Sequence, residues 1–405
     1  MNGIELVAPA GAMEMVVAAL DFGADAVYLG PRAFSLRSGS EDFSGDGLKR
    51  AIDKIKGRKK KAYLTLNAIQ SNRDLEPVFD FIRNVSGLGL DGIILSDPGL
   101  IETVKAINVP VHVSTQACVH NKASALFWKK QGASRIILAR ELSLGEIREI
   151  CASVDMEFEI FVHGALCVSY SGRCMLSDYL EGRSGNKGEC AQPCRWGFSV
   201  ARGGEEGAFS IEEENGKTFI LNSKDLCALP LLKEILLTGV RALKIEGRNK
   251  SVHYISVVTR VYREAIDAWQ TEGDKFRVRE QWITDLDSVS HRAYTTGFLK
   301  DMEYQRPLQI CDSQGYARGA VIVGVVKETL PGNRAVVDIR NDFDVDTKVS
   351  LFSPEKGSYL ENSRVLSIES ITGRRETLVH TNRVVIMEFE GKVSAASLVR
   401  VHARS

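Results

Sequence analysis

A repeated alternation of short apolar runs and amphipathic stretches constrains this chain more than any other feature. The runs ELVAP, DAVYLG, AYLTLNA, DGIILSD, VPVHVST, SRIILAR, EFEIFVHG and RALKIEGR recur through the first two-thirds of the sequence. Between them, AMEMVVAALDFGA, GDGLKRAIDKIKG, LEPVFDFIRNVSGLG, PGLIETVKAIN, KASALFWKKQGA and LGEIREICASV place apolar residues at helical spacing, and YISVVTRVYREAIDAW follows the last run. The runs are continuously apolar, as strands covered on both faces of a parallel sheet are. Strand–helix units in this number predict an α/β fold built on a (β/α)8 barrel of the TIM type. A doubly wound open sheet shares the local pattern, and the strand count favours the barrel.

Beyond residue 314 the helical period disappears. AVIVGVV, RAVVDIR, KVSLFS, RVLSIES, RVVIMEF and SLVRVHA are separated by turn-forming segments, which predicts a small antiparallel β-barrel. The expected division is a barrel over 1–275 with a Cys-rich insertion at 164–215, an irregular connecting segment over 276–313, and the β-domain over 314–405. Lys+Arg and Asp+Glu balance at 52 each, so no global basic field advertises a nucleic-acid partner and any such contact must be local. The most basic run, KIKGRKKKAY (Lys54 to Tyr63), joins a helix to a strand and so belongs on the N-terminal face of the barrel. It reads as a solvated edge, with a distal phosphate contact as the alternative. No secretory pattern opens the chain and no apolar run has membrane-spanning length, so a cytoplasmic protein with no membrane partner is expected.

In a barrel of this kind the chemistry sits at the C-terminal ends of the strands. Reading those ends in order gives Arg32 and Arg37, then Asn67, Ser96 and Asp97, then Ser114, Thr115 and Gln116, then Arg140 and Glu141, then His163, and finally Glu246 and Arg248. Such a ring suits a polar, anionic ligand, although Ser96, Asp97 and Ser143 are equally placed to cap helices. Just past the seventh strand lies CVSYSGRCMLSDYLEGRSGNKGECAQPCRW, with cysteines spaced C-x6-C-x15-C-x3-C. A reducing compartment argues against disulfides. A single nucleophilic thiol, with His163 as base, leaves three companions unexplained. Structural zinc prefers two C-x2–4-C knuckles, and only Cys190 and Cys194 form one. Four thiolates with variable spacing favour an iron–sulfur cluster over zinc. Cys227, in NSKDLC, is an alternative ligand, and Cys118, Cys151 and Cys311 are isolated cysteines that read as buried small residues.

The segments ELVAPAGAMEMVVAALDFGADAVYLG, LSDPGLI, VSTQA, LARELSLGEI, EIFVHGALCVSYSGRCMLSDYL, CAQPCRW, LNSKDLC, LKIEGRNKS and SHRAYTTGF together resemble the peptidase U-32, or collagenase-like, family over residues 4 to 300. The resemblance is strongest to the branch that takes part in forming 5-hydroxyuridine at the wobble position of tRNA. It implies Cys167, Cys174, Cys190 and Cys194 as ligands of a 4Fe-4S iron–sulfur cluster, tRNA as partner, and prephenate, a small dicarboxylate metabolite, as co-substrate. A second family member as a partner subunit is compatible with it. On that picture Arg32, Arg37, Arg140, Lys224 and Arg248 are the candidate carboxylate-binding cations, and His163, Glu246, Asn67 and Gln116 the candidate catalytic groups. The family also carries an older description as collagenase-type peptidases. Against it, the chain has no G-x-S-x-G and no H-E-x-x-H. A non-catalytic, metal-stabilised RNA-binding protein is the remaining alternative.

Overall fold

The computed structural model describes residues 3–37, 41, 43–196, 223–300, 316–317, 319–345, 347–355 and 359–402. The insertion from 197 to 215, the connecting segment from 301 to 313 and Cys311 lie outside the described residues. The first strands are β1 (Glu5–Pro9), β2 (Ala26–Leu29), β3 (Lys61–Leu66), β4 (Gly92–Leu95), β5 (Val111–Val113), β6 (Ala133–Ile137) and β7 (Glu157–Ala165), followed by β8 (Asp225–Cys227), β9 (Ala242–Ile245) and β10 (Tyr294–Thr295). β1 through β7 pair in sequence order, all parallel, and β9 closes the ring by pairing in parallel with both β7 and β1. This is an eight-stranded parallel barrel. Its outer layer includes α1 (Met13–Asp21), α2 (Gly45–Gly57), α3 (Asn72–Asn84), α4 (Ile101–Ala106), α5 (Lys122–Lys130) and α6 (Leu144–Ser153). A short α7 (Leu176–Glu181) lies in the cysteine segment, and α8 (Leu232–Leu236) precedes β9. α9 (Val252–Glu272), which follows β9, is buried over most of its length.

Two elements depart from the sequence reading. β8, the NSKDLC run, pairs antiparallel with the overhanging end of β7, His163 opposite Cys227 and Ala165 opposite Asp225. β10 then pairs with β8. The supposedly irregular stretch after residue 276 therefore contains a strand and a helix, α10 (Glu280–Ser288). Arg292 secures this ledge: its Nε and Nη2 donate to Asp225 Oδ1 at 2.9 and 2.6 Å, both residues buried.

The barrel lumen is polar at its N-terminal end. Arg135 on β6 donates to Glu5 on β1 at 2.6 Å and to Glu159 on β7 at 3.1 Å, while Lys244 on β9 donates to Glu159 at 2.8 Å. Tyr63 completes Glu5 at 2.7 Å. A tighter layer above holds Val7, Ala26, Tyr28, Tyr63, Ile94, Ile137 and Ala242, so the lumen is packed rather than open. The basic run reads as the solvated edge: Lys56, Arg58, Lys60 and Lys61 pair with Asp91, Asp21, Asp25 and Glu5.

The C-terminal region forms β11 (Ala320–Leu330), β12 (Arg334–Ile339), β13 (Phe343–Asp344), β14 (Val349–Phe352), β15 (Tyr359–Ser363), β16 (Val365–Ser370), β17 (Leu378–Val379), β18 (Val384–Phe389) and β19 (Leu398–His402). Seven of these make one antiparallel sheet in the order β15-β14-β19-β11-β12-β18-β16. Its two edge strands are consecutive in the chain with only Arg364 between them, so the sheet must curl until its edges meet. It docks on the barrel through Phe352, whose ring stacks on Phe22 at 5.7 Å and lies under the guanidinium groups of Arg260 and Arg400, each 4.6 Å away.

Removing Arg135 leaves two buried carboxylates, Glu5 and Glu159, with a single cation each. Arg135→Met is expected to cost about 3–5 kcal/mol, read from the denaturant midpoint. Burial alone would raise the Glu5 carboxyl, but Arg135, Lys61 and Tyr63 hold it down at about 2. Its contribution to stability is thus complete above the ordinary value of 4.5 and lost as pH falls toward 2. Glu5→Gln should flatten the stability profile across that window.

Candidate functional site

The C-terminal mouth of the barrel opens into a cavity of about 510 Å³. Cys167, Cys174, Cys190 and Cys194 all line it, together with Arg37, Gln116, Arg140, Arg195, Glu246, Lys250 and Tyr254. Below it a compartment of about 50 Å³ reaches into the lumen between Tyr28, Asn67, Ser114, Phe161, Lys244 and Arg248. The polar ring read from strand ends and the cysteine segment thus face one space.

The segment is pinned to the barrel at several points. Ser171 is a non-glycine residue in the left-handed region (φ 48°), and Glu141, past the end of β6, accepts from both its backbone N–H and its hydroxyl. A side chain at Gly172 would press on the Arg140 guanidinium, only 3.1 Å from where its Cβ would stand. Asn186 then ties the chain between the two cysteine pairs back to Cys174. Its Oδ1 accepts from the Cys174 N–H at 3.2 Å and its Nδ2 donates to the Cys174 carbonyl at 2.9 Å. Its own carbonyl accepts from Ile69, in the loop after β3, at 3.0 Å. At Gly188 (φ 91°) a Cβ would run into the Ser35 carbonyl, so the chain lies directly on the β2 loop there.

Two of the thiols accept backbone N–H groups. Cys174 Sγ accepts from the Leu176 N–H at 3.3 Å, and Cys190 Sγ from the Gln192 N–H at 3.4 Å. Burial, and then the neighbouring Cys167 and Cys190 with it, push the Cys194 thiol up. Four thiols around one cavity are a donor set that fits a thiolate-held iron–sulfur cluster.

Arg37 donates to Glu246 Oε1 through Nη2 at 2.6 Å and Nε at 3.1 Å. Burial would raise the Glu246 carboxyl, but Arg37 outweighs it and holds the group below the usual range. Arg248 is buried and donates to Ser35 Oγ, Thr65 Oγ1 and the Gly30 carbonyl at 3.1–3.2 Å. Arg140 lies over the Phe161 ring at 5.7 Å. Asn67 donates toward Ser114 and Gln116 at 3.4–3.5 Å, which places both amides at the lumen entrance. Asp97 and Ser143 serve as helix caps.

Four sequence candidates stand elsewhere. His163 is turned away by a register shift between Phe161 and His163 on β7. Its ring is buried among Tyr254, Tyr262 and Tyr294, and burial lowers it to about 3. Cys227 is buried on β8 in the apolar core, its thiol raised by burial to about 11. Arg32 is exposed, and neither it nor Lys224 lines the cavity. Cys118 and Cys151 are half-buried. The sequence reading missed Lys250, held by the Ser290 carbonyl at 3.1 Å and set over the Tyr254 ring, and Arg195, which donates to Tyr316 Oη at 2.7 Å. Lys250 lies in the NKS that follows Arg248, so extending each strand-end reading by two residues would have found it.

The family model described as Peptidase family U32 matches residues 11–308. The chain belongs to the U32 family. Among its relatives, "tRNA hydroxylation protein P1" of Bacillus subtilis is 31% identical over 401 residues, spanning 98% of this chain and 94% of the relative. "tRNA hydroxylation protein P" of Escherichia coli is 35% identical, spanning 87% and 86%. A Porphyromonas gingivalis relative named "Collagenase" is 31% identical over 310 residues, spanning 74% of each chain. The match to the Bacillus protein takes in both the barrel and the β-domain. No helix among the described residues is long and apolar enough to cross a membrane.

Asn186→Ala should free Cys174 from its backbone anchor. The expected outcome is faster amide exchange at Cys174, by about 5- to 10-fold for loss of one such hydrogen bond, with barrel amides unchanged.

Proposed function

We propose that this U32 protein hydroxylates C5 of a wobble uridine in tRNA, or is an essential component of that reaction. It would do so with a 4Fe-4S cluster held by Cys167, Cys174, Cys190 and Cys194 and a small dicarboxylate such as prephenate in the barrel mouth. The observation that carries the reading is the shared cavity: four thiols open onto the same space as a cationic mouth. The names of two relatives that match across most of the chain support the RNA and the hydroxylation.

A bound cluster supplies one-electron redox chemistry at the mouth. The chain's own residues supply the rest. Arg37, Arg140 and Lys250 face the cavity as carboxylate partners, replacing Arg32 and Lys224 in that role. Arg248, spent on Ser35, Thr65 and Gly30, fixes the loops after β2 and β3. Glu246 is held ionised by Arg37 and is therefore a proton acceptor, not a donor. Gln116 and Asn67 offer amide dipoles to a polar ligand at the lumen entrance. A thiol peptidase would need a base beside Cys167, and His163 does not share its cavity.

Iron and sulfide analysis of anaerobically purified protein tests the ligand set. About four irons per chain are expected, lost in large part in Cys174→Ser and Cys194→Ala and retained in Cys227→Ala. Mass spectrometry of tRNA nucleosides from a deletion strain, with any oxygen-dependent route to the same product also removed, should show loss of 5-hydroxyuridine derivatives. Their persistence at wild-type level would sink the reading.

A further inference from the structure

Soluble folds scatter their exposed aromatic side chains, whereas a contiguous group of them marks an interaction site. Here they concentrate in and beside one chain segment. The exposed aromatics among the described residues are Tyr170 (58%), Tyr179 (87%), Trp196 (39%), Tyr316 (49%) and Phe127 (51%). All but Phe127 belong to the cysteine segment or, as Tyr316 does through Arg195, bond to it. Of these, Tyr316 lines the cavity, and Tyr179 and Trp196 follow its lining residues Ser177 and Arg195 within two positions. Among the described residues, the charged side chains lining that cavity are Arg37, Arg140, Arg195 and Lys250 against Glu246. The segment itself adds Arg173, Arg183 and Lys187 against Asp178, Glu181 and Glu189. Lys250 also lies 5.5 Å from the centre of the Tyr316 ring, so cation and aromatic alternate at the cavity edge.

Aromatic faces set among cations form the surface that takes unpaired nucleotides: bases stack on the rings and the backbone follows the positive charge. A duplex keeps its bases stacked inside and cannot use the rings in this way. We propose that the rim of the cysteine cavity is the docking surface for a single-stranded RNA loop, with Tyr179, Trp196 and Tyr316 stacking the bases that flank the one admitted to the cavity. This rests on the reading of the chain as an RNA-modifying protein and adds where, and in what conformation, the RNA is held. Tyr170 has a different task, since its ring already stacks on His120 at 4.7 Å.

The test is fluorescence anisotropy of the full-length, iron-loaded protein with a hairpin RNA bearing an unpaired loop, and with a fully paired duplex of equal length. Wild type should prefer the hairpin. Tyr179→Ala and Trp196→Ala should each weaken hairpin binding by roughly 5- to 100-fold, the range for loss of one base–aromatic stack. Tyr179→Phe and Trp196→Phe should restore it, and Phe127→Ala should leave it unchanged. Unchanged iron content and melting temperature in the alanine variants exclude misfolding as the cause. If wild type prefers the hairpin but the alanine variants bind it equally well, the rim assignment is overturned while the RNA reading stands. If wild type binds neither RNA, that reading fails and the rim assignment with it. If wild type is a dimer that Tyr179→Ala converts to a monomer with RNA affinity unchanged, the rim is a self-association surface and the proposal is overturned.

Discussion

The Arg135 guanidinium is the interaction on which the rest of the molecule depends. It draws Glu5, Glu157 and Glu159 together, and Glu159 in turn takes Lys244. These groups come from β1, β6, β7 and β9, and three of those strands form the seam where the barrel closes. Closing it is costly because the whole cysteine segment, β8 and α8 intervene between β7 and β9. Loop-closure entropy grows slowly with length, but the seam still needs contacts that favour one register. A buried network of charges that is satisfied only when β7, β9 and β1 are aligned provides that selection. Replacing it with apolar packing could be neutral for stability, whereas breaking one member strands the others. That asymmetry suits a device that specifies register.

Once the seam is fixed, the site follows from the length of β7. That strand runs past the barrel top to Ala165, and the overhang recruits β8 on one side while β9 holds the other up to His163. At Gly164 (φ 113°) the chain passes against the Glu246 carbonyl and the Tyr254 hydroxyl, too close for any Cβ. The overhang therefore sets Glu246, and through it Arg37, at the same height as the first cysteine. Asp225 and Arg292 then lock β8 and β10 behind the cavity with a buried, doubly hydrogen-bonded pair. The cysteine segment is thereby suspended from a rigid strand end and anchored again by Glu141 and Asn186.

Much of this is legible in the sequence, for identifiable reasons. The eight barrel strands are continuous apolar runs, which only a sheet covered on both faces requires, and their C-terminal ends announce Arg37, Asn67, Gln116, Arg140 and Glu246. The C-x6-C and C-x3-C pairs point to one shared cavity because both flank the mouth in chain order. His163 misleads because strand alternation predicts its direction only while the register holds, and the irregularity after Phe161 leaves no trace in composition. Cys227 misleads because β8 is three residues long, too short to show a period, and its antiparallel pairing is a tertiary event. Asn186 is invisible for a different reason. A polar residue in a loop gives no sign of which backbone or ring it will meet until the fold brings the partner to it.

The electrostatics of the mouth tie the proposed chemistry together. A thiolate-held cluster, a dicarboxylate and an RNA loop are all anionic, and gathering them in one low-dielectric cavity would be prohibitive without compensation. Arg37, Arg140, Arg195 and Lys250 provide it, yet four cations facing a small space repel one another when no ligand is present. Burial already depresses Lys250, and it depresses Arg248 to about 10. Glu246 relieves that strain by pairing with Arg37, and the pair is at the cavity wall, within reach of an incoming carboxylate. On the proposed function, an anionic ligand would exchange for an internal carboxylate and would not have to meet a bare cation. Such an exchange would lower the net gain on binding, and in return would keep Arg37 oriented and the mouth electrically balanced between turnovers.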